Sequence, residues 1–491
     1  MVFSSMVFIF VFLPAVILLY YVFPWRTWRN TLLCVSSLVF YAWGEPVYVL
    51  LMLFSVLMNY VAGLSINKVD VKAASTKKKW VKRKKGKKHE KRGKKSTAVF
   101  VIAILLNLAA LLFFKYTNFF LSNLNEAFSL GIKPMNLPLP IGISFYTFQA
   151  LSYIIDVYRR KVEPQKNPVY LAMYIAFFPQ LIAGPIVRYT DVANDIRNRK
   201  ETLEGFSKGL MQFFTGLAAK VILANNLAVF VDSVFGDYAD ASSLILWLAS
   251  VSYMLQIFFD FAGYSLMAIG LGRMFGFTFP NNFNKPYAAS SVTDFWRRWH
   301  ITLSSWFRDY VYIPLGGNRC RTSRHVFNII VTWLLTGFWH GAEWNFILWG
   351  LYYALFLLLE KYIFSGFLKN KVAAVFYKFV TLLIVLIGWV LFRIENISDL
   401  VSVLGTMFSF RCGNVALYMV EHAATCSKLF YLIPGIIAAG TLPSAIAAKI
   451  RKTVPENFYF ALKAVIALVL FAVSVLFLIA SSYNPFIYFR F

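Results

Sequence analysis

Charge is what this sequence has least of. Only 14% of its 491 residues are Asp, Glu, Lys or Arg, against about 25% in ordinary soluble domains. Hydrophobic residues make up 59%, aromatics 18%, and the mean hydropathy is +0.62. Several apolar runs approach the roughly 20 residues a helix needs to cross a bilayer, which excludes a soluble globular chain and predicts a polytopic, all-α membrane protein. Cysteine is scarce too. Cys34, Cys320, Cys412 and Cys426 show no CxxC or Cys/His spacing, which excludes a metal or redox motif. Cys412 and Cys426 can pair if their loop faces outward, or stay free thiols. No GxSxG elbow, Walker loop, HExxH helix or paired-carboxylate constellation is present, so hydrolysis driven by a metal or nucleotide is disfavoured. The segment 1–23 lacks a basic n-region and a small-residue cleavage site, and reads as a retained first helix.

The charge that is present is lopsided. The net +27 invites a nucleic-acid reading, but residues 68–97 alone hold thirteen Lys and two Arg against Asp70 and Glu90, a net of +13. No structured aromatic pattern accompanies it, so nucleic-acid binding is not expected. The tract reads as a disordered cytoplasmic loop, obeying the positive-inside bias and leaning on anionic headgroups.

The same bias orders the spans. Arg26 and Arg29 place the end of the first helix in the cytoplasm and its start outside. Residues 31–64 form two segments broken at Gly44-Glu45-Pro46. Further candidates are 98–121, 140–157, 168–187, 205–233, 242–271, 374–392, 428–447 and 457–480. Gly-Pro breaks near 140–142 and 184–185 suggest re-entrant pieces, tolerated only where protein or water covers the freed backbone. The alternation puts the C-terminus outside, and no transporter-type internal repeat is seen. The chain reads as one integral-membrane domain, 1–491.

SVTDFWRRWHITLSSWFRDYVY (291–312) is too polar to span. Ser291 with Asp294 is a capping box, and Pro314 to Gly317 ends the run. At 100° per residue Phe295, Trp296, Trp299, Leu303, Trp306 and Tyr310 share one arc, with Asp294, Arg297, Arg298, Arg308 and Asp309 opposite. His300 falls on the border. This predicts an interfacial helix on the cytoplasmic face, where His300 is either functional or an incidental edge residue of a membrane anchor.

His340, in LLTGFWHGAEWNFILWG (334–350), is the sharper signal. A titratable imidazole in lipid is costly and therefore points to function. It lies fifteen residues past His325, or ~22 Å along a helix within a hydrocarbon core of ~30 Å. The run back to Lys361 predicts a hairpin with Gly341 near its apex. Glu343 is placed to hold the imidazole's other nitrogen, and Trp339 and Trp344 to pack around it and exclude water. The alternative is a buried histidine bonded to a backbone carbonyl. A neutral imidazole suits general-base work on a hydroxyl acceptor, which favours acyl transfer from an activated donor. Asn345 is a weak oxyanion candidate. Asp260, in QIFFDFAGYS (256–265), is expected to pair with an arginine of the interfacial helix.

DFWRRWHITLSSWFRDYVYIPLGGNR (294–319) and FWHGAEWNFILWG (338–350) resemble the signature blocks of the membrane-bound O-acyltransferase superfamily, in its bacterial alginate O-acetyltransferase branch. PIGISFYTFQALSYIIDVYR (140–159), FPQLIAGPIVRY (178–189), WVLFR (389–393) and NPFIYFRF (484–491) match as well. The likeness covers nearly the whole chain and departs from the pattern mainly at 68–97. It implies about eleven membrane helices, with re-entrant and interfacial ones, around a central funnel. It makes His340 the catalytic histidine and His300 the second one. It implies a cytoplasmic acetyl donor, acetyl-CoA, with no bound cofactor and no metal. The acetyl group would cross a bacterial plasma membrane to an extracytoplasmic polysaccharide, often through an SGNH-hydrolase-type partner. Arg297, Arg298 and Arg308 would attract the carrier's phosphates, or simply face solvent. Rival readings are D-alanyl transfer from a carrier protein to teichoic acid, a non-catalytic glycan export subunit, and a scaffold whose histidines are dispensable.

Overall fold

The computed structural model describes residues 1–76, 92–182, 184–410, 413–481 and 483–487. Among these the regular structure is helical, with no strand. Six helices are long and apolar enough to cross a membrane, or seven if one bent pair is a single span. They are Tyr48–Lys68, Lys94–Phe128, Leu203–Gly236, Ser243–Met274, Lys371–Arg393 and Glu456–Ala480. The other expected segments are shorter or broken. The run 168–187 divides into Pro168–Ala176 and Phe178–Leu181, and 428–447 is interrupted at Gly440 between Leu432–Ala439 and Leu442–Thr453. Proline and glycine set these breaks by removing a donor or freeing the backbone.

Helix Tyr48–Thr76 runs into the basic tract, and the next begins at Lys94. Residues 77–91, the centre of the expected loop, lie outside the described residues, as do Cys412 and with it the Cys412–Cys426 pairing.

The chain divides into two compact units. The first comprises chiefly residues 7–201 with 276–279. Here helices Tyr48–Thr76 and Lys94–Phe128 are tied by a reciprocal amide pair, Asn59 and Asn107, each Nδ2 donating to the other's Oδ1 at 3.0 Å. In an apolar setting such a pair supplies the direction that Leu-on-Leu packing lacks. Glu201 gathers Arg26 at 2.5 Å, Arg29 at 3.0 Å and Arg199 at 3.4 Å, and accepts the Tyr20 hydroxyl at 2.6 Å.

The second unit comprises residues 2–6, 202–275 and 280–491 and contains both candidate histidines. Helices Leu203–Ala218 and Ser243–Met274 touch backbone to backbone through two glycine pairs. A Cβ on Gly216 would stand 2.5 Å from the Gly263 carbonyl oxygen, and one on Gly209 would stand 2.6 Å from that of Gly270. Small residues at matched spacing are what let membrane helices approach this closely. Asp260 is buried as expected, but its partner is Lys220 at 2.8 Å rather than an arginine of the 291–312 segment. The positive-inside count overlooks Lys220 because it sits inside an apolar helix, where only the fold reveals a facing carboxylate.

Candidate active site

The segment 291–312 is not one helix. Val292–Arg298 and Ile301–Phe307 are separate, followed by a π-turn over Arg308–Tyr312. The break falls at His300, whose φ of +42° lies in the left-handed region. A non-glycine residue there is uncommon, and surrounding contacts must hold it. The predicted apolar arc is nonetheless correct, since Phe295, Trp296, Trp299, Leu303, Trp306 and Tyr310 are all buried. Ser291 caps the first helix by accepting from the Asp294 N–H, while Asp294 accepts from Ser290 rather than closing a box on Ser291. Sequence reading missed a further cap. The buried Glu360 carboxylate accepts the N–H groups of Val292 at 2.5 Å and Thr293 at 2.9 Å, which places an anion at a helix N-terminus.

His300 is 1% exposed, so it is neither at an edge nor at an open mouth. Its Nδ1 lies 3.0 Å from Asn282 Oδ1. The same oxygen accepts the Thr302 N–H at 3.3 Å and the Thr302 hydroxyl at 2.8 Å. A backbone N–H only donates, so the Asn282 atom facing it is the oxygen, and His300 Nδ1 must carry the proton. In the neutral ring the lone pair then resides on Nε2, which is buried with no hydrogen-bond partner among the described residues. Burial, and then the nearby charge of His340, push His300 well below the usual histidine range and keep it neutral.

His340 ends helix Thr322–His340, and Trp344–Tyr362 returns from it. The predicted hairpin is present, with Gly341 at its turn. Its arms pack closely because Gly337 and Gly350 have no side chains. A Cβ on Gly337 would meet the Phe346 carbonyl oxygen at 2.2 Å, and one on Gly350 would meet that of Trp333 at 2.4 Å. His340 is 6% exposed inside an aromatic cage. Ring centroids lie at 4.9 Å to Trp339, 5.1 Å to Trp349 and 5.2 Å to Phe392. Trp339 also stands 6.2 Å from His300, so one indole touches both histidines. Edge-to-face pairs of this kind contribute about 0.5–1.5 kcal/mol each beyond area burial, and they dry the site.

Several expected neighbours are elsewhere. Trp344 is half exposed, and Trp349, five residues further on and on another face of the helix, takes its place. Glu343 is exposed at the turn, and no hydrogen bond joins it to His340 among the described residues. Asn345 is buried, but its amide N–H donates to the carbonyls of Leu391 and Phe392 at 3.3 and 3.4 Å. It therefore pins the WVLFR block against the hairpin and is spent as an oxyanion donor. Arg298 pairs with Asp294 at 2.9 Å and Arg308 with Asp309 at 2.7 Å, while Arg297 is exposed. His325 is held between two tyrosine hydroxyls, Tyr312 at 2.8 Å and Tyr362 at 2.5 Å, as a structural post at the other end of its helix.

The arrangement sets one buried histidine of fixed tautomer beside another enclosed in a dry aromatic cage, with Trp339 between them. No cluster of metal-binding side chains occurs among the described residues. The sequence pattern of the membrane-bound O-acyltransferase family matches residues 158–398. A protein from Azotobacter vinelandii named as a probable alginate O-acetylase is 38% identical over the full length of both chains. A peptidoglycan O-acetyltransferase from Helicobacter pylori is 32% identical over all of this chain and 98% of its own. A teichoic acid D-alanyltransferase from Bacillus subtilis is 31% identical over 46% of this chain and 59% of its own.

Proposed function

Because this chain belongs to the membrane-bound O-acyltransferase family and is an O-acyltransferase, we propose that it O-acetylates an extracytoplasmic polysaccharide from cytoplasmic acetyl-CoA. Full-length likeness to an alginate and a peptidoglycan O-acetyltransferase supports acetyl over D-alanyl transfer, whose representative matches less than half of this chain. The observation that carries the mechanism is the pairing of His340, in its cage, with His300, whose Nε2 lone pair is free to accept.

His340 acts as general base. It takes the proton from an acceptor hydroxyl as that oxygen bonds to the acetyl carbon. The carbon–sulfur bond then breaks, and the proton passes to the departing thiolate. His300 Nε2 accepts a hydrogen bond from a second, neighbouring hydroxyl of the glycan acceptor and so orients the one that reacts. Trp339, Trp349 and Phe392 exclude water that would hydrolyse the thioester. The buried Trp349 indole N–H, without a hydrogen-bond partner among the described residues, replaces Asn345 as the candidate donor to the developing oxyanion. Arg297, less engaged than Arg298 and Arg308, is the better placed of the three to attract the carrier's phosphates. The protein sits in the bacterial plasma membrane with both termini outside, and hands the acetyl group to the glycan directly or through an SGNH-type partner.

The test is transfer of labelled acetyl from acetyl-CoA in membranes carrying wild type or His340→Ala. Label reaching glycan or partner only with wild type supports the reading. Equal transfer with both returns His340 to a structural role. Label from a D-alanyl carrier instead overturns the donor.

A further inference from the structure

A groove of about 600 Å3 lies between helices Leu203–Ala218, Ser243–Met274 and Glu456–Ala480, and the chemistry above leaves it unused. Its volume falls in the range of small-molecule sites, roughly 300–1,000 Å3. Met211, Leu266, Ile466 and Leu470 give it an apolar wall. Lys208, Arg273, Arg451 and Lys463 line it as well, against one carboxylate, Glu456. These cations gather at one end of the helices: Lys208 near the start of the first, Arg273 next to the end of the second, Lys463 near the start of the third.

Two of the four are partly neutralised, Lys208 by Glu204 and Arg451 by Glu456 at 3.7 Å. Arg273 and Lys463 make no ion pair among the described residues. Tyr459 lines the same end of the groove, and a tyrosine's amphipathic ring marks the headgroup zone of a bilayer. Inside, the Gln212 amide oxygen is buried without a hydrogen-bond partner among the described residues, ready to accept from a hydroxylated headgroup. The outer wall, helix Glu456–Ala480, buries only Ala467 and Ser474 and turns an apolar surface outward along its length.

A soluble phosphate would gain from the cations but not from the apolar wall, and a zwitterionic lipid would gain from the wall but little from the cations. We propose that the groove binds an anionic phospholipid. Arg273 and Lys463 hold its phosphodiester, Lys208 and Arg451 flank it, and an acyl chain lies along Leu266, Ile466 and Leu470. The lipid fills the seam between the glycine-packed pair and the last span.

The experiment is native mass spectrometry of the purified full chain in detergent, after adding phosphatidylglycerol or phosphatidylcholine. Wild type is expected to retain one phosphatidylglycerol preferentially. The triple variant Arg273→Gln/Arg451→Gln/Lys463→Gln should retain it on the order of a hundredfold less well, at about fivefold per cation near an anionic group. Lys361→Gln/Lys369→Gln/Lys371→Gln, with the same loss of charge elsewhere, and the conservative Arg273→Lys should both bind as wild type does. Equal retention of the two lipids, undiminished binding by the triple variant, or loss of binding in the control triple would overturn the proposal. Displacement of phosphatidylglycerol by millimolar coenzyme A or inorganic phosphate would overturn it in favour of a soluble phosphate ligand.

Discussion

His300 Nδ1 and Asn282 Oδ1 are 3.0 Å apart, and that bond fixes which nitrogen of His300 is free. Asn282 holds the residue at a strained backbone position and sets its tautomer at once. The Ile301 N–H donates to the Asn282 carbonyl at 2.9 Å, so the loop and the helix break are stitched by main chain as well.

Asn282→Ala strands the Nδ1–H of His300 and the N–H of Thr302 in a dry site, at about 1–3 kcal/mol for each buried donor left unmade. It also releases the tautomer. We expect acetyl transfer to fall at least tenfold while the protein still purifies as a folded species. Asn282→Asp keeps the acceptor but favours the imidazolium, so its activity should decline from pH 8 to 6 more steeply than that of wild type. An Asn282→Ala protein as active as wild type would mean that the His300 tautomer is irrelevant to turnover.

Trp349→Phe separates packing from hydrogen bonding. The ring still meets His340 and Phe392, which lie at 5.1 and 5.4 Å in the wild type, but the indole N–H is gone. If that N–H stabilises the oxyanion, single-turnover acetyl transfer should drop by about 10²–10³ with donor binding unchanged. A loss under threefold would make Trp349 a wall of the cage and nothing more.

Much of this was legible from residue order. The hairpin follows from two apolar runs meeting at Gly341 between basic ends, and the buried arc of the 291–312 segment follows from periodicity, because a helix face that repeats every 3.6 residues must be covered by something. What covers it is decided by tertiary contacts. Nothing in NNFNKP (281–286) marks Asn282 as the partner of a histidine eighteen residues later. The break at His300 is equally silent, since an amphipathic pattern survives a one-residue kink that keeps both halves facing inward. Trp344 and Trp349 are indistinguishable as residue types, and only the hairpin's rotation turns one inward and the other out. Lys220 was invisible for a related reason: a single cation in an apolar run gains meaning only when Asp260 on another helix is seen beside it.

Glu201 offers a test by pH in the first unit. Burial alone would raise its carboxyl, but hydrogen bonds from Arg26 and Tyr20 and the Arg26 charge outweigh it and carry the pKa down to about 2. A carboxylate depressed on folding contributes stability that is complete above its unfolded value, near 4.5. That contribution is lost as pH falls towards the folded value. The melting temperature in detergent should therefore be level from pH 7 to about 5 and then decline as the pH drops towards 3. Glu201→Gln should start lower and lose part of that decline. A wild-type profile identical in shape to that of Glu201→Gln would show that the cluster contributes nothing to acid sensitivity.

The Lys220–Asp260 pair makes the most demanding prediction, because the two side chains are 2% and 3% exposed and each also holds the C-terminal segment. The Lys220 ammonium donates to the Pro485 carbonyl, and Asp260 Oδ2 accepts the Ile487 N–H at 2.8 Å. Phe486 between them lies 4.6 Å from Tyr264, and Asn484 bonds to Ser4 and Asn225. Lys220→Met leaves a buried carboxylate without its cation, which should cost about 3–5 kcal/mol. Lys220→Met/Asp260→Leu removes both charges and should recover most of that loss, since an apolar pair fits a dry helix interface about as well as an ion pair does. The double variant still lacks the two bonds to 485 and 487, so carboxypeptidase should trim its C-terminus faster than that of wild type even where thermal unfolding is restored. If the single and double variants unfold at the same temperature, the charges are not coupled. If the restored double variant resists trimming as well as wild type, the pair does not anchor the tail.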